Sequence, residues 1–592
     1  MSSHRKKVLI MGEDTRGFLA CVRSLGRQGL EVHVAPADLK SPALKSRYIH
    51  QVHRLPAYIG DGGEWVEAVR ALLSREKFSL VMPTNDPNIL PLARHRRAYW
   101  PDHKIATPDD DAIAVLFDKL ATRKLADSVS VPLAKGIAIY PDTTCSVALE
   151  ALKLPLVLKS TRSYKMSNLG QRQRARIIKH VEELQEALAI PRTETMLLEQ
   201  YFVGDTIGVS ILASNGRVLQ YFQHVRAHES PPDASGYRMS QKLDPALTAA
   251  CGRMVARLGY TGLAMCEFKK NNQTGEWILL EINARPWGSL PLPLSLGIDF
   301  PYWWYRLLDE GWETPATQYA AGRFSRNFTI DMPFLVNALR ERRNRPAALL
   351  AFGARSVGEF GRNFIGLERS DTLVIDDPSP GFSEAIQIVR RIGKKLFGRR
   401  TRAPVAAIAR IAERVQQQPD ATLHVEFVCT GNICRSPYAE KLFAKGIGTL
   451  QHDIEVSAGS SGTFLIEGRP SPQAAIAAAV RQRNVDLSNH RSRCFTNTIP
   501  VEADLVIVFD EANEEAVLAR YPDVDAKLFW LSDFLNGTEQ GAPVLDPYGL
   551  TATEYDASYQ LIERGVDALV ATLVRAIDHN CEPLPSDLSS PR

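Results

Sequence analysis

The chain has 592 residues, too many for one hydrophobic core and enough for roughly three to four domains of ordinary size. Hydrophobic residues make up 45% and charged residues 23%, the balance of an average globular protein, which excludes disordered, collagen-like and membrane-embedded classes. A formal net charge of +4 is small for this length and gives no reason to expect a nucleic-acid partner.

The cationic start Arg5-Lys6-Lys7 precedes the apolar run Val8-Leu9-Ile10-Met11, which is too short for the core of a secretory leader. No stretch approaches the ~20 consecutive apolar residues that a membrane span needs. The expectation is a cytoplasmic protein with no transmembrane segment. The eight cysteines, Cys21, Cys145, Cys251, Cys266, Cys429, Cys434, Cys494 and Cys581, are scattered without CxxC pairs, which argues against a disulfide framework or structural zinc.

Residues 8–11 read as a strand, followed by the turn Gly12-Glu13-Asp14-Thr15-Arg16-Gly17, an amphipathic stretch over 18–28 and a strand at 31–35, a βαβ opening. A further buried strand over 78–83 leads into Thr84-Asn85-Asp86-Pro87 and a helix, so residues 1–110 predict a small parallel-sheet domain. The turn lacks the GxGxxG fingerprint, which argues against a dinucleotide there. Residues 111–325 alternate short strands (156–159, 207–213) with helical stretches (176–188), an α+β pattern. Residues 326–420 read as a helical and basic linker region of charged helical stretches, with the basic run from Arg390 to Arg400 taken as a solvated helix face. A fresh apolar strand over 425–428 opens a last domain, residues 421–580, with a tail at 581–592.

That strand delivers the chain into Cys429-Thr430-Gly431-Asn432-Ile433-Cys434-Arg435-Ser436, followed by Pro437. Phosphate is well held by a ring of backbone amides at a helix N-terminus, where unpaired N–H groups and the helix dipole both favour negative charge. Gly431 and Asn432 suit the tight backbone turns of such a ring, and Pro437 suits a first helical turn. The same field favours a thiolate at Cys429 for attack on phosphorus. Arg435 closes the ring with a planar fork that lysine cannot reproduce.

This octet resembles the low-molecular-weight protein tyrosine phosphatase family, and the likeness extends over about 421–580. Val456-Ser457-Ala458-Gly459 is similar to the family's strand after the first helix, and Asp504 to Asp510 to its central apolar strand. Asp546-Pro547-Tyr548 resembles the loop carrying the general acid. The resemblance implies that Cys429 is the nucleophile and that Asp546 protonates the leaving oxygen and then activates water against phosphocysteine. It also implies that Asn432, Ser436 and Ser457 brace the loop, whose remaining members are Thr430, Gly431, Ile433 and Cys434, with Cys434 able to form a protective disulfide to Cys429. Gly468-Arg469-Pro470-Ser471-Pro472 and His490-Arg491-Ser492-Arg493 only approximate the family's pattern. Arsenate reductases share the loop but need two closely paired resolving cysteines; only Cys494 and Cys581 lie downstream, which argues against that activity.

In the middle block, Glu281-Ile282-Asn283-Ala284-Arg285-Pro286 follows an apolar strand, so Glu281 and Asn283 project from one face of its end. Glu267 supplies a second carboxylate, and an oxygen-only set suits Mg²⁺ bridging nucleotide phosphates. This arrangement resembles the ATP-grasp superfamily over about 1–325, the first domain being similar to a preATP-grasp domain. Asp118-Lys119 resembles the entry to the ATP site, Lys159 the second phosphate-binding lysine, and Leu198-Glu199-Gln200-Tyr201-Phe202-Val203-Gly204-Asp205 the adenine and ribose hinge. The resemblance implies an ATP and Mg²⁺ (or Mn²⁺) site of Lys119, Lys159, Glu199, Gln200, Tyr201, Phe202 and Asp205, with Glu267, Glu281 and Asn283 as metal ligands. Arg226, Arg238 and Arg285 would face an acyl phosphate, with His228 and Glu229 as further candidates. The covering loop, Ser160 to Gly170, is not glycine-rich as in many relatives, and Lys165 offers a compensating charge.

The fold expected is therefore an α/β multidomain: a preATP-grasp sheet domain, an ATP-grasp α+β fold and a C-terminal phosphatase α/β domain with a central parallel sheet. The expected function is bifunctional, an ATP-dependent ligase for small-molecule carboxylate and amine substrates joined to a phosphatase for a phosphoester or phosphotyrosine. The alternative makes the ATP-grasp half a nucleotide-sensing regulatory module.

Overall fold

The computed structural model describes residues 5–578 except 167–168, 171, 174, 190–193, 229–235, 314–315, 343–344, 398–403, 419–421, 449–454, 464–466 and 497–498. The chain divides into two compact units, Met1–Val389 and Arg390–Arg592.

The first unit opens with a parallel sheet ordered Ile49–Val52, Glu31–Ala35, Lys7–Met11, Leu80–Pro83. Its central strand is covered on both faces. Val8 and Ile10 pack with Phe18, Val22 and Trp287, while Leu9 and Met11 pack with Val66, Val69 and Leu73. The period-two alternation that usually separates core from solvent here separates two cores, as parallel sheets require. An antiparallel sheet follows, ordered Gly136–Ile139, Met196–Gln200, Leu156–Ser160, Arg176–Ile178. A larger sheet has seven strands, ordered Trp277–Asn283, Gly262–Lys270, Asp205–Ser214, Arg217–Arg226, Tyr237–Gln241, Phe324–Arg326, Glu368–Ser370. All of its pairings are antiparallel except the last.

The stretch read from sequence as a linker differs in the structure. Glu368–Ser370 pairs with Phe324–Arg326 and completes the seven-stranded sheet. Arg326 is fully buried and meets Asp331 at 2.5 Å, Glu368 at 2.8 Å and Glu359 at 3.4 Å. His228 joins the same cluster, 2.8 Å from Asp331 and 3.3 Å from Glu359. These charges neutralise one another inside the fold, which a single-sequence pattern does not reveal. Of the basic run, Arg390 is exposed, and the side chains from 391 to 400 lie outside the described residues.

The second unit has a parallel sheet ordered Val456–Gly462, Leu423–Cys429, Leu505–Val508, Leu528–Trp530. The helix Val405–Gln417 gives Ala407, Ile408 and Ile411 to the same core as Val425, Phe427 and Leu569, so this core also draws on residues from the expected linker. Among the described residues, no helix is long and apolar enough to cross a membrane.

Candidate active sites

The strand Leu423–Cys429 is central and buried, and the helix Arg435–Gly448 starts six residues after its last member. The intervening loop is turned by Asn432, whose φ of 49° lies in the left-handed region that Asn tolerates better than most residues. The fully buried Asn432 side chain donates to Ser436 Oγ and Ser460 Oγ, both at 2.9 Å, and accepts from Arg493 N at 2.7 Å. Its carbonyl accepts from His490 Nε2 at 2.7 Å. The Cys429 sulfur sits beneath this frame, 3.2 Å from Asn432 N and 3.1 Å from Ser436 Oγ. Gly462 ends the neighbouring strand where the loop turns. A Cβ there would stand 3.1 Å from Asn432 N, Gly431 C and Thr430 O, so only glycine lets the loop close against the sheet.

Arg435 is buried beside the loop. Its guanidinium donates to Asp510, to Val544 O at 3.0 Å and to Asp546 Oδ2 at 2.8 Å. Burial works against its charge, but Cys429, Asp546 and Asp510 outweigh it and raise the pKa. Asp510 caps the helix Glu511–Arg520, accepting from Asn513 N at 2.8 Å, and Asn513 reaches Thr430 Oγ1 at 3.0 Å. The Cys434 sulfur lies 3.6 Å from the Tyr555 hydroxyl, and burial pushes the thiol up to about 12. Both loop cysteines are free thiols.

Ser457 is a correction. It pairs with His424 at the far end of the strand, five residues from Cys429, and its hydroxyl meets His424 Nδ1 at 2.8 Å. Ser460 takes the bracing position, because the strand register places Gly462, not Gly459, beside Cys429. Ser460, His490, Arg493, Asp510 and Asn513 are site residues that the sequence reading did not single out. The Asp510-Glu511 start of a helix after an apolar strand was a legible capping signal; the contacts of His490 and Arg493 were not legible, since both lie more than fifty residues downstream of the loop they hold.

In the first unit, a cleft of about 140 Å³ is lined by Lys119, Tyr164, Glu199, Glu281 and Asn283 among others. Asp118 caps the helix Lys119–Ser128 and so fixes Lys119 at its first turn. Lys119 Nζ lies 3.2 Å from Ser163 Oγ of the covering loop. Burial lowers its pKa, with Lys159 and Arg172 adding to the effect and Glu281 opposing it. Glu199 is buried and already paired with Arg123 and with Lys159, the latter at 2.5 Å.

Glu267 and Glu281 stand directly opposite across paired strands. Glu267 is held by Arg226 at 2.8 Å, Asn283 Nδ2 donates to Glu281 at 3.0 Å, and Arg285 donates to Asn283 Oδ1 at 3.1 Å and to Asp86. Burial raises the pKa of Glu267, with Arg226 opposing and the Glu281 charge adding to the rise. Burial also opposes the charge of Glu281, but Lys119 and the Asn283 amide hold its pKa down. Two facing, half-buried carboxylates and an amide oxygen fit a hard divalent cation, which would relieve their repulsion.

Other candidates sit elsewhere. Gln200, Tyr201 and Phe202 line a second, more open hollow, and the Gln200 and Tyr201 amides donate to Lys135 O and Pro155 O. Asp205 is exposed, accepts from Asn272 and lines neither cavity. Arg238 is buried against Asp371, Ser325 and Gly288 O, and His228 belongs to the buried cluster with Asp331. Lys165 pairs with Glu194 at 2.7 Å and does not line the cleft. Glu229 and Cys581 lie outside the described residues.

A strand, phosphate-sized loop and helix with cysteine, arginine and a carboxylate define a cysteine-dependent phosphatase fold in the second unit. Residues 424–579 match the family described as low molecular weight phosphotyrosine protein phosphatase. The probable low molecular weight protein-tyrosine-phosphatase EpsP of Ralstonia nicotianae is 32% identical over 143 residues, 24% of this chain and 90% of the relative. A protein-arginine-phosphatase of Bacillus subtilis is 33% identical over 128 residues, 22% of this chain and 81% of that protein. The chain belongs, through this segment, to the low molecular weight phosphotyrosine protein phosphatase family. Residues 192–327 match a second family, ATP-grasp in the biosynthetic pathway with Ter operon. Both segments are thus of enzyme families. Among solved structures, an L-amino acid ligase from Bacillus licheniformis aligns at 18% identity and a TM-score of 0.41, covering 55% of this chain and 79% of that one. The N5-carboxyaminoimidazole synthetase of Staphylococcus aureus, complexed with ADP, aligns at 16% identity and a TM-score of 0.43, covering 58% and 88%.

Proposed function

We propose that the chain is a two-activity enzyme: an ATP-dependent ligase in the first unit and, in the second, a phosphatase working through phosphocysteine. The observation that carries the phosphatase reading is the Cys429 sulfur, 3.2 Å from Asn432 N and 3.1 Å from Ser436 Oγ, beside an Arg435 that meets Asp546 at 2.8 Å. Cys429 Sγ attacks phosphorus, the ester P–O bond breaks and Asp546 gives its proton to the leaving oxygen. Asp546 then takes a proton from the water that displaces sulfur and releases phosphate. Arg435 leaves its carboxylate partners for the phosphoryl oxygens, which frees Asp546 to carry that proton. The substrate class is a phosphoester or phosphotyrosine.

In the ligase, Lys119 and Lys159 hold nucleotide phosphates, Glu199 the adenine, and Arg285 and Arg226 the acyl phosphate. Glu267, Glu281 and Asn283 hold Mg²⁺, which when bound supplies charge neutralisation of the phosphates. The substrate carboxylate oxygen takes the γ-phosphoryl group of ATP with release of ADP, and an amine then attacks the acyl carbon and expels phosphate, leaving an amide. Both chemistries need ATP or a reduced thiol, which suits the cytoplasm.

The test is hydrolysis of p-nitrophenyl phosphate by the whole chain. Cys429→Ser is expected to abolish turnover, and Asp546→Asn to slow it by about 10²–10⁴. Wild-type rates in either variant would refute the assignment. Phosphotyrosine and phosphoarginine peptides, run side by side, identify the phosphoryl carrier.

A further inference from the structure

Three arginines from separate elements gather beyond the metal-side end of the ligase cleft. Arg285 follows the strand Trp277–Asn283, Arg238 lies on Tyr237–Gln241, and Arg16 caps the helix Gly17–Arg27. Gly288 marks where Arg16 and Arg238 meet. Its carbonyl accepts from Arg238 Nη1 at 3.1 Å, and a Cβ on it would stand 2.7 Å from Arg16 Nη1 and 3.0 Å from Arg16 Cζ. Gly17 faces the same loop, its Cβ position 3.0 Å from Trp287 O. Two glycines thus let the first turn of the chain and the loop after Arg285 interlock around one guanidinium.

The partners of the three are unequal. Arg285 is engaged by Asp86 and by Asn283 Oδ1 at 3.1 Å. Arg238 is engaged by Asp371 and by Ser325 Oγ at 3.0 Å. The Arg16 guanidinium makes no hydrogen bond and no ion pair among the described residues. Asp14, the acid acting on it most strongly, turns its carboxylate to the backbone amides of Arg16 at 2.7 Å and Phe18 at 3.3 Å. Asp371 is occupied by Arg238 and Ser325. Arg16 is half-buried, and burial lowers its pKa, with Arg238 and Arg285 adding to the fall against the pull of Asp14 and Asp371. A desolvated cation without a counter-ion is costly, and an arriving anion repays that cost.

We propose that Arg16 anchors the acid substrate of the ligase, its guanidinium binding the substrate's carboxylate next to Arg285. The ligand class is a small carboxylic acid, and a planar fork suits that group better than a point charge. This inference rests on the ligase reading above. It assigns to the turn Gly12–Gly17, which carries no dinucleotide fingerprint, a role in acid selection.

The experiment uses the full chain with ATP and Mg²⁺. ADP release is followed across the standard L-amino acids and the dicarboxylates from malonate to adipate, each with ammonium and with L-alanine as nucleophile. With whichever acid stimulates the wild type, Arg16→Ala is expected to raise KM for that acid by about 10–100-fold, while affinity for a non-hydrolysable ATP analogue stays unchanged. Arg16→Lys is expected to recover part of the loss. An unaltered KM for the acid overturns the inference, as does weakened binding of the ATP analogue, which would place Arg16 on the γ-phosphate. No acid-dependent ADP release from the wild type overturns the ligase reading itself and this inference with it. Retained nucleotide affinity also certifies that the variants are folded.

Discussion

Replacing Asn432 tests whether the phosphate loop is held from within. In the folded chain its side chain makes three hydrogen bonds, to Ser436 Oγ, Ser460 Oγ and Arg493 N, at full burial. At about 1 kcal/mol each these contribute about 3 kcal/mol. The φ of 49° adds a cost of ~1 kcal/mol when the residue is alanine. If this energy keeps the amides aimed at phosphate, Asn432→Ala lowers kcat/KM by about 10²–10³. Asn432→Gly loses the same three bonds but keeps the left-handed turn, so it is expected to be about fivefold more active than the alanine variant. Steady-state hydrolysis of p-nitrophenyl phosphate measures both, with thermal melts to establish that each is folded. Glycine below alanine would refute the conformational argument, and wild-type rates in both would refute the bracing argument.

Metal removal separates the two activities. With EDTA, acid-dependent ADP release is expected to vanish while p-nitrophenyl phosphate hydrolysis is unchanged, because the proposed phosphatase mechanism uses only thiolate, amides, guanidinium and a carboxylate; a parallel fall in both rates would contradict the assignment. In the first unit, Arg326→Leu leaves Asp331, Glu359 and Glu368 facing one another without their shared cation. The expected loss is about 3–5 kcal/mol, read as a fall on the order of 5–10 °C in the melting of that unit, and an unchanged melt would count against a structural role. The same cluster sets a pH window. Burial opposes the charge of Glu359, but His228 and Arg355 hold its pKa down to about 2, so its contribution is present above its ordinary value of about 4.3 and is lost as pH falls toward 2. Burial likewise opposes the charge of His228, but Asp331 and Glu359 raise its pKa, so its contribution is full below about 6.5 and is lost as pH rises through the raised value. Stability of this unit is expected to be greatest between about pH 4.5 and 6.5, and His228→Gln to flatten the alkaline limb of a melting profile.

The candidate phosphate loop was legible because its signal is local. Cys429 to Ser436 occupy consecutive positions whose spacing suits wrapping one phosphate, and the flanking strand and helix announce themselves by apolar pattern and proline. The facing of Glu267 and Glu281 was legible in part, since the sequence places each directly after an apolar run, although the strand Gly262–Lys270 carries on past Glu267. What was not legible is pairing at long range. Ser457 and Ser460 are equally plausible braces until register decides, and register depends on which residue lies beside Cys429. The cluster around Arg326 escaped for the same reason: the helix acids Asp331 and Glu359 show their burial only once their partners are known, among them His228, which lies just past the strand Arg217–Arg226.

A common principle links the two candidate sites. Arg435 is engaged by Asp510 and Asp546, Lys159 by Glu199, and Arg226 by Glu267. Each of these three cations is already neutralised by a carboxylate. Ligand binding at these positions is therefore an exchange of ion pairs, in which the arriving oxyanion takes the cation and releases a carboxylate for proton transfer or metal binding. Such exchange gains little from net Coulomb attraction and much from geometry, because only a ligand that re-pairs both the cation and the released acid is favoured over the resting arrangement. Arg16 stands apart from these pairs, since among the described residues its guanidinium forms no ion pair, and on the proposed reading an anion bound there would add attraction outright. Such a site would reject neutral analogues at Arg16 while discriminating among anions by shape at the exchangeable pairs.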